Sequence, residues 1–186
     1  EARRDVHNLR AASNVILTTA ETIIRDDPLL NPRDLEIEFK EPMRVIIDRN
    51  FKVPERAKIF GLTGKTIIYT QTENDTKEKE LRDRGINVVH LTKSSSWLCD
   101  VCKHLASKYE TNDILIESGP TFAGTMVDQG LVDELIIYVA PKLFGNKTFP
   151  SFKLREIVEI EQAKTYEFFD IRKIGKDLRL KMVIKK

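Results

Sequence analysis

The sequence predicts an α/β domain with a largely parallel sheet, because strand-like apolar runs alternate with helix-like segments from residue 14 to residue 130. The pattern changes from Glu134 onward, where three strand-like segments follow one another. The last two are joined around Gly175-Lys176, which predicts a closing antiparallel hairpin. We therefore expect a mixed, mostly parallel sheet with an antiparallel hairpin at its C-terminal end.

The first part of the chain alternates helices with short strands. Val6, Leu9 and Ala12 form one apolar stripe and predict a helix over residues 1–12. A short helix over 19–24 is expected to end at Asp27-Pro28, because a residue before proline is pushed out of the helical region. The strands expected here are 14–18, 44–48 and 66–70.

The same alternation continues to residue 130. Gly85 is expected to stop a charged surface helix over 77–84. A second helix, over 96–108, has Leu98, Val101 and Leu105 on one apolar side. A third, over 121–129, is expected to end at Gly130. The remaining expected strands are 87–91, 113–117, 134–140, 162–174 and 178–184.

The composition is that of a globular protein. Its 186 residues carry a net charge of +2, so no broad attraction to nucleic acid is expected. The longest apolar runs are too short to span a bilayer. Its two cysteines form no disulfide framework, which makes a cytoplasmic setting the default. We interpret residues 1–186 as a single domain, with a processing or expression boundary before Glu1.

The segment Ile114–Gly124 is the most informative part of the chain. It places a Gly-Pro turn between an apolar strand and a small-residue helix start. That order presents backbone N–H groups to a phosphate, yet it also occurs in plain strand-to-helix turns that need glycine only for geometry. The segment is neither G-x-G-x-x-G nor a Walker loop, so both interpretations remain open.

Several charged residues are candidates for a site. Glu117 ends the strand before the glycine turn, where it could orient or protonate a substrate or simply bond to a neighbouring loop. Asp26 and Asp27 lie on a loop before Pro28, and an Asx-turn explains Asp27 adequately. Arg10 and Arg33 could hold a substrate phosphate, although single arginines are more often surface residues.

The pair Cys99 and Cys102 has half of the spacing of a zinc site. No second pair follows, and His90 and His104 do not complete a ligand set. Because Cys102 falls on the apolar side of its helix, we expect packing and no metal site.

Several sequence blocks resemble the reductase half of the bifunctional riboflavin-biosynthesis deaminase–reductase. The blocks that carry the resemblance are residues 1–17, 22–33, 43–48, 116–121, 130–135 and 140–145. Residues 55–112 and 146–186 match only in pattern. The resemblance implies a three-layer fold like that of dihydrofolate reductase, NADPH as hydride donor, and 5-amino-6-(5-phosphoribosylamino)uracil as substrate. It also implies a homodimer or larger assembly.

The resemblance also assigns site residues. It places four residues at the substrate: Arg10, Leu30, Arg33 and Glu117. It places the following at the nicotinamide cofactor: Thr22, Asp26, Arg49, Gly119, Pro120, Thr121, Phe122, Ala123, Gly124 and Thr125. Asp26 and Glu117 are the candidates for proton transfer. An arginine at position 49 could pair with the 2′-phosphate of the cofactor.

One departure from the family concerns the N-terminus. The family's reductase half starts with a strand upstream of Glu1, and we expect this chain to lack that strand and the site residues on it. The zinc-deaminase signature is also absent, so we expect that this chain alone cannot deaminate, and a deaminase domain, fused upstream or separate, stays open as a partner. Two alternatives to the implied function stay open. One is a reductase of the same fold that acts on a related pyrimidine or pterin, of the 2,5-diamino-6-ribosylamino-pyrimidinone type. The other is a non-catalytic nucleotide-binding module.

Overall fold

A computed structural model describes residues 1–145 and 147–185. The described chain divides into two compact units. One unit comprises His7–Gly119, and the other comprises Glu1–Val6 together with the chain from Pro120 onward. The boundary between the units falls inside the first helix. No helix among the described residues combines the length and the apolar character needed to cross a bilayer.

The unit His7–Gly119 is built on a five-stranded parallel sheet. Its strands and helices are, in chain order, α1 (Ala2–Ala12, shared with the other unit), β1 (Val15–Thr19), α2 (Ala20–Asp26), β2 (Met43–Ile47), β3 (Thr66–Thr70), α3 (Asp75–Asp83), β4 (Asn87–His90), α4 (Trp97–Tyr109) and β5 (Ile114–Ile116). A 3₁₀ turn at Lys58–Gly61 lies between β2 and β3. The strand order is β4-β3-β2-β1-β5.

The central strands are buried along their whole length. All five residues of β1 and all five of β3 are buried, so both faces of the sheet are covered. The β-branched and leucine side chains of these strands suit such a position, as Ile16, Ile46 and Ile68 show in the core cluster. Leu17 is in register with Val45 on one side and with Ile116 on the other.

The strand order contains one reversal of direction. From β1 the chain adds β2, β3 and β4 on one side, and then returns to place β5 on the other side of β1. In open α/β sheets the crevice for a ligand lies outside the carboxyl ends of the strands at such a point. The fold therefore predicts a ligand site at the carboxyl ends of β1 and β5.

A tightly bonded loop follows β2. The Asp48 carboxylate accepts hydrogen bonds from the backbone amides of Lys52 (2.8 Å) and Val53 (2.7 Å). The Lys77 ammonium, on α3, donates to the carbonyls of Phe51 and Val53. Because both the amides and the carbonyls of this loop are bonded, its backbone is held in one conformation.

The other unit contains a three-stranded antiparallel sheet. Its elements are α5 (Pro120–Asp128), β6 (Glu134–Val139), a 3₁₀ turn at Ile160–Gln162, β7 (Tyr166–Ile174) and β8 (Asp177–Ile184), with strand order β6-β8-β7. Gly175, at φ 64°, is the first of two residues in the β7–β8 turn, the position that a type II′ turn gives to glycine. The predicted hairpin is thus confirmed.

A polar network ties α1 to this antiparallel sheet within the same unit. The Tyr138 hydroxyl donates to Asp5 Oδ2 at 2.5 Å, and the Arg179 guanidinium bonds both Asp5 and Asp170 at 2.9–3.2 Å. Burial, followed by the bond to Asp5, raises the pKa of Tyr138 well above its usual value, so Tyr138 remains the donor.

The α/β fold class is confirmed, and the arrangement of the strands is more specific than expected. The parallel strands and the antiparallel strands form two separate sheets, where the sequence pattern had predicted one mixed sheet. Helix starts also shift by one or two residues. Helix α3 begins at Asp75 because the Asn74 side chain caps it, accepting from the Lys77 amide at 3.1 Å. Helix α5 begins at Pro120, since proline suits the first helical position.

Candidate active site

Glu117 lies at the point where the strand order reverses. It follows β5 directly, and its amide donates to the Leu17 carbonyl of β1 at 2.9 Å. The backbone pairing of β1 with β5 therefore places Glu117 beside the end of β1, where the chain turns into α2. A carboxylate at this edge is positioned to meet a ligand in the crevice.

A bidentate ion pair joins Glu117 to Arg10 on α1. Arg10 Nε lies 2.6 Å from Glu117 Oε1, and Nη2 lies 2.7 Å from Oε2. The side chains are 12% and 23% exposed, so the pair is mostly shielded from water. Arg10 Nη1 also donates to the Asn31 carbonyl at 3.2 Å. This fork-to-fork geometry fixes both side chains and keeps Glu117 as a hydrogen-bond acceptor.

The start of α2 supplies hydroxyl groups at the same edge. Thr19 caps this helix, and its Oγ1 accepts from the Thr22 amide at 3.3 Å. The hydroxyls of Thr19 and Thr22 lie 3.0 Å apart. Thr22 is half-buried, so its side chain is partly exposed at the start of α2. The Thr22 hydroxyl is therefore the group that could make the predicted contact with a cofactor.

The loop after α2 is bent by two residues in the left-handed region. Asp27 has φ 40° and Leu30 has φ 50°. The Asp27 carboxylate accepts from the Lys58 amide at 2.9 Å, and this bond lowers its pKa. The Leu30 side chain is 4% exposed and lies in the core cluster. A substrate contact at Leu30 would therefore use its backbone.

Asp26 lies at the surface end of α2. Its carboxylate forms two hydrogen bonds with the neighbouring Arg25, at 3.0 and 2.9 Å. These bonds lower the pKa of Asp26 below its usual value. Asp26 is thus ionised near neutral pH. Among the described residues it contacts Arg25, and no hydrogen bond joins it to Glu117.

Arg33 and Arg49 are the other predicted cations. The Arg33 side chain is 48% exposed, and its guanidinium donates to the Asn31 side chain at 3.4 Å. Arg49 follows β2 by two residues, and its guanidinium lies over the ring of Trp97, 5.1 Å from the centroid. Trp97 itself is 1% exposed and is the first residue of α4.

The glycine-turn segment contains one glycine that close packing requires. A Cβ at Gly124 would overlap the backbone of Lys153, whereas a Cβ at Gly119 would meet nothing within 4 Å. The Lys153 amide also donates to the Pro120 carbonyl at 2.9 Å. Packing therefore accounts for Gly124. For Gly119 neither crowding nor a positive φ explains the glycine.

The remaining members of that segment form the first turns of α5. Thr121 is exposed, and Phe122, Ala123 and Thr125 are half-buried. Thr125 Oγ1 donates to the Thr121 carbonyl at 2.9 Å. Pro120 has no N–H, but the next amides in the first turn of a helix also lack intrahelical acceptors, so Thr121 and Phe122 supply the donor groups that the phosphate prediction requires.

Sequence reasoning missed three residues that contact or adjoin the predicted site. They are His7, Asn31 and Thr19. The spacing of His7 and Arg10 on α1, three residues apart, places them on one helix face and could have indicated a pair. The described residues contain no group of three or more His, Cys, Asp or Glu side chains arranged to hold a metal ion.

Residues 1–180 match the family described as the RibD C-terminal domain. The chain belongs to the RibD C-terminal domain family. This agrees with the resemblance drawn from the sequence blocks.

Individual relatives support the same assignment. The chain is 34% identical over 194 residues to the riboflavin biosynthesis protein RibD of Escherichia coli, covering 98% of this chain and 52% of that protein. It is 33% identical to the 5-amino-6-(5-phosphoribosylamino)uracil reductase of Buchnera aphidicola, covering all of this chain and 94% of that protein. The chain thus spans about half the length of the RibD proteins that it matches.

Solved structures confirm the fold. RibD of Acinetobacter baumannii superposes with a TM-score of 0.87 at 30% identity, over 99% of this chain and 50% of that one. The yeast riboflavin biosynthesis reductase Rib7 superposes with a TM-score of 0.76 at 18% identity, which bears on the fold alone.

Proposed function

We propose that this chain reduces the ribosyl group of 5-amino-6-(5-phosphoribosylamino)uracil to the ribityl product, with NADPH as hydride donor, as a step in riboflavin biosynthesis. One observation carries the proposal. The Arg10–Glu117 pair lies at the reversal of the parallel sheet, in a chain whose relatives include a protein named for this reductase activity.

The substrate side of the proposal uses residues of the unit His7–Gly119. The guanidinium groups of Arg10 and Arg33 both donate to Asn31, and they provide positive charge for the substrate phosphate. Glu117, held as an acceptor by Arg10, receives a hydrogen bond from a substrate hydroxyl. Leu30 contributes backbone groups from its left-handed turn.

The cofactor side of the proposal assigns residues to a phosphorylated dinucleotide by the chemistry of their groups. Thr22 offers a hydroxyl at the start of α2, and the exposed Arg49 guanidinium follows β2. We assign Arg49 to the 2′-phosphate, which would distinguish NADPH from NADH. We assign the start of α5, residues 119–125, to the diphosphate. When bound, NADPH supplies the hydride.

The protein groups have a defined task in this reaction. The ribose ring must open so that the carbon bonded to nitrogen becomes an iminium carbon, which requires one proton at the ring oxygen as the bond from that oxygen to the carbon breaks. Hydride transfer to the iminium carbon then gives the neutral amine, so one proton and one hydride are taken up in all. Asp26 is ionised and stabilises the positively charged iminium or accepts a proton. Glu117 orients the sugar hydroxyls and assists the proton transfer.

A test of the proposal measures NADPH oxidation by the purified chain. The deaminated pyrimidine should be reduced, and mass spectrometry should show a product heavier by two hydrogen atoms. The 2,5-diamino form serves as the alternative substrate, and NADPH binding without oxidation on either pyrimidine would favour a non-catalytic role.

We further propose that the chain forms a homodimer. Strand β7 is at the edge of the antiparallel sheet and exposes Phe168, Phe169 and Ile171 at 57–67%. Exposed apolar side chains on an edge strand are typical of an interface. Light scattering should give the mass of two chains for the wild type and of one chain for Phe168→Asp, while Lys173→Glu on the same strand should remain dimeric.

A further inference from the structure

His7 is a buried histidine whose ring is not fully bonded. It lies on α1 and is 9% exposed. Its Nδ1 atom is buried and has no hydrogen-bond partner among residues 1–145 and 147–185. Buried polar atoms in folded proteins are nearly always paired, so an unpaired ring nitrogen beside a candidate site indicates a position for a ligand group.

The surroundings of His7 are cationic. Arg10 is on the same face of α1, three residues later. The charges of Arg33 and Asp34, in the loop after α2, act on the His7 ring, and so does the Asn31 carbonyl, which Arg10 also bonds at 3.2 Å. The positive charges of both Arg10 and Arg33 therefore act on the His7 imidazole, although Arg33 belongs to another segment of the chain.

This environment favours the neutral imidazole. Burial is the largest cause that lowers the pKa of His7, and the charges of Arg10 and Arg33 follow. The Asn31 carbonyl and the Asp34 carboxylate raise it, but by less. The free protein thus holds His7 uncharged at neutral pH, under the influence of two positive charges that an anion would neutralise.

We propose that His7 is a third ligand of the substrate's phosphate, beside Arg10 and Arg33, and that it takes up one proton from solvent when the dianion binds. The inference rests on the proposed function, since the ligand is the phosphate of that substrate. A dianion beside the imidazole cancels the repulsion from the guanidinium groups and favours the imidazolium, which then donates a charged hydrogen bond.

The sign of the pH dependence follows from this linkage. Binding raises the pKa of His7, so its contribution to affinity is complete below the pKa of the free protein, which lies below 6.5. The contribution is lost as the pH rises through the higher pKa of the complex. Between pH 6.5 and 8, affinity for a phosphate ester should fall more steeply in the wild type than in a variant that cannot titrate.

Isothermal titration calorimetry with ribose 5-phosphate tests the proposal on the full chain. The wild type should take up more protons on binding than His7→Gln, as measured in two buffers of different ionisation enthalpy. At pH 6.5 His7→Gln should bind about threefold to tenfold more weakly, and at pH 8 the two should converge. Equal proton uptake and parallel pH profiles would overturn the proposal.

A second measurement needs no variant. The sequence has three histidines, so ring resonances of His7, His90 and His104 can be followed by NMR. Ribose 5-phosphate should raise the pKa of His7 and leave the other two unchanged, and an unchanged His7 would overturn the inference. Reductase activity is measured separately. An active wild type whose His7 does not respond defeats this inference alone, whereas a responding His7 in an inactive chain defeats only the proposed reaction.

Discussion

Arg10 and Glu117 are 107 positions apart in the sequence and are joined by two hydrogen bonds of 2.6 and 2.7 Å. The pair connects helix α1 to the end of strand β5, where the order of the parallel strands reverses. Three of its properties bear on the proposed function: its bidentate geometry, its partial burial and the Asn31 carbonyl that shares the Arg10 guanidinium.

Replacing Glu117 with glutamine should lower kcat by about a hundredfold or more, because the amide cannot assist proton transfer and breaks the fork with Arg10. It should also lower the free energy of unfolding by about 1–3 kcal/mol, since a mostly shielded guanidinium loses its charged partner. Steady-state kinetics and urea unfolding measure both effects. Glu73→Gln removes the same charge from an exposed position and should leave both quantities unchanged; a near-normal kcat for Glu117→Gln would reject the catalytic role.

Replacing Arg10 with lysine keeps the charge and removes the planar fork. The KM for the phosphorylated pyrimidine should rise by about tenfold or more, while the KM for NADPH changes little, because Arg10 is assigned to the substrate. Arg3→Lys, an exposed position on the same helix, is the matched control. A larger effect on the KM for NADPH than on that for the pyrimidine would contradict the assignment.

Arg49 should determine the choice of cofactor. Arg49→Ala is expected to raise the KM for NADPH by about tenfold or more and to leave the KM for NADH nearly unchanged, since only NADPH carries the 2′-phosphate. Initial rates with the two dinucleotides give the ratio. Lys52→Ala removes one positive charge from the same loop and should preserve the preference for NADPH. If Arg49→Ala changed the KM for NADPH and the KM for NADH equally, the role of Arg49 would be purely structural.

The two glycines of the turn segment should respond differently to alanine. Gly124→Ala forces a methyl group into the backbone of Lys153 and should lower the free energy of unfolding by about 1–3 kcal/mol. Gly119→Ala meets open space and should leave the thermal midpoint unchanged. If the dinucleotide approaches the backbone at Gly119, the same substitution raises the KM for NADPH, and an unchanged KM would favour a plain turn.

Arg25 should set the titration of Asp26. The pKa of Asp26 lies below its usual value because Arg25 bonds it, so Arg25→Ala should move that pKa upward. The interaction contributes to stability above the pKa of the unfolded chain, near 3.8, and the contribution is lost as the pH falls through the lower folded value. NMR titration of the Asp26 carboxyl carbon measures the shift. An identical titration curve in both proteins would show that the ion pair does not persist in solution.

Local patterns predicted the elements well, and long-range pairing was harder to predict. Burial of Val15, Ile16 and Leu17 follows from their apolar run, and the turn at Gly175 follows from the residue itself. The separation of β6 from the parallel sheet depends on contacts between distant segments, which no local pattern encodes. For this reason the sequence predicted strands correctly and their division into sheets incorrectly.

In the candidate site, too, the residue types could be predicted from the sequence, whereas their contacts depend on long-range pairing. Arg10 and Glu117 were assigned to substrate by family resemblance, but their mutual ion pair depends on the return of β5 to the side of β1. Asn31 contributes a carbonyl, and backbone groups carry no residue-type signal. The two interpretations of the glycine turn, geometry and phosphate binding, apply to different glycines. Packing explains Gly124, whereas for Gly119 the phosphate prediction stays untested.

The loop after β2 has a consequence for the proposed role of Arg49 at the 2′-phosphate of the cofactor. Asp48 restrains the amides of this loop, and Lys77 restrains its carbonyls. Arg49 immediately follows Asp48, so the loop backbone beside Arg49 is already restrained in the ligand-free protein. The loop backbone therefore has little conformational entropy left to lose when a dinucleotide binds. We expect NADPH and NADH to differ mainly in their dissociation rates, and we expect no slow closing motion of this loop to limit binding.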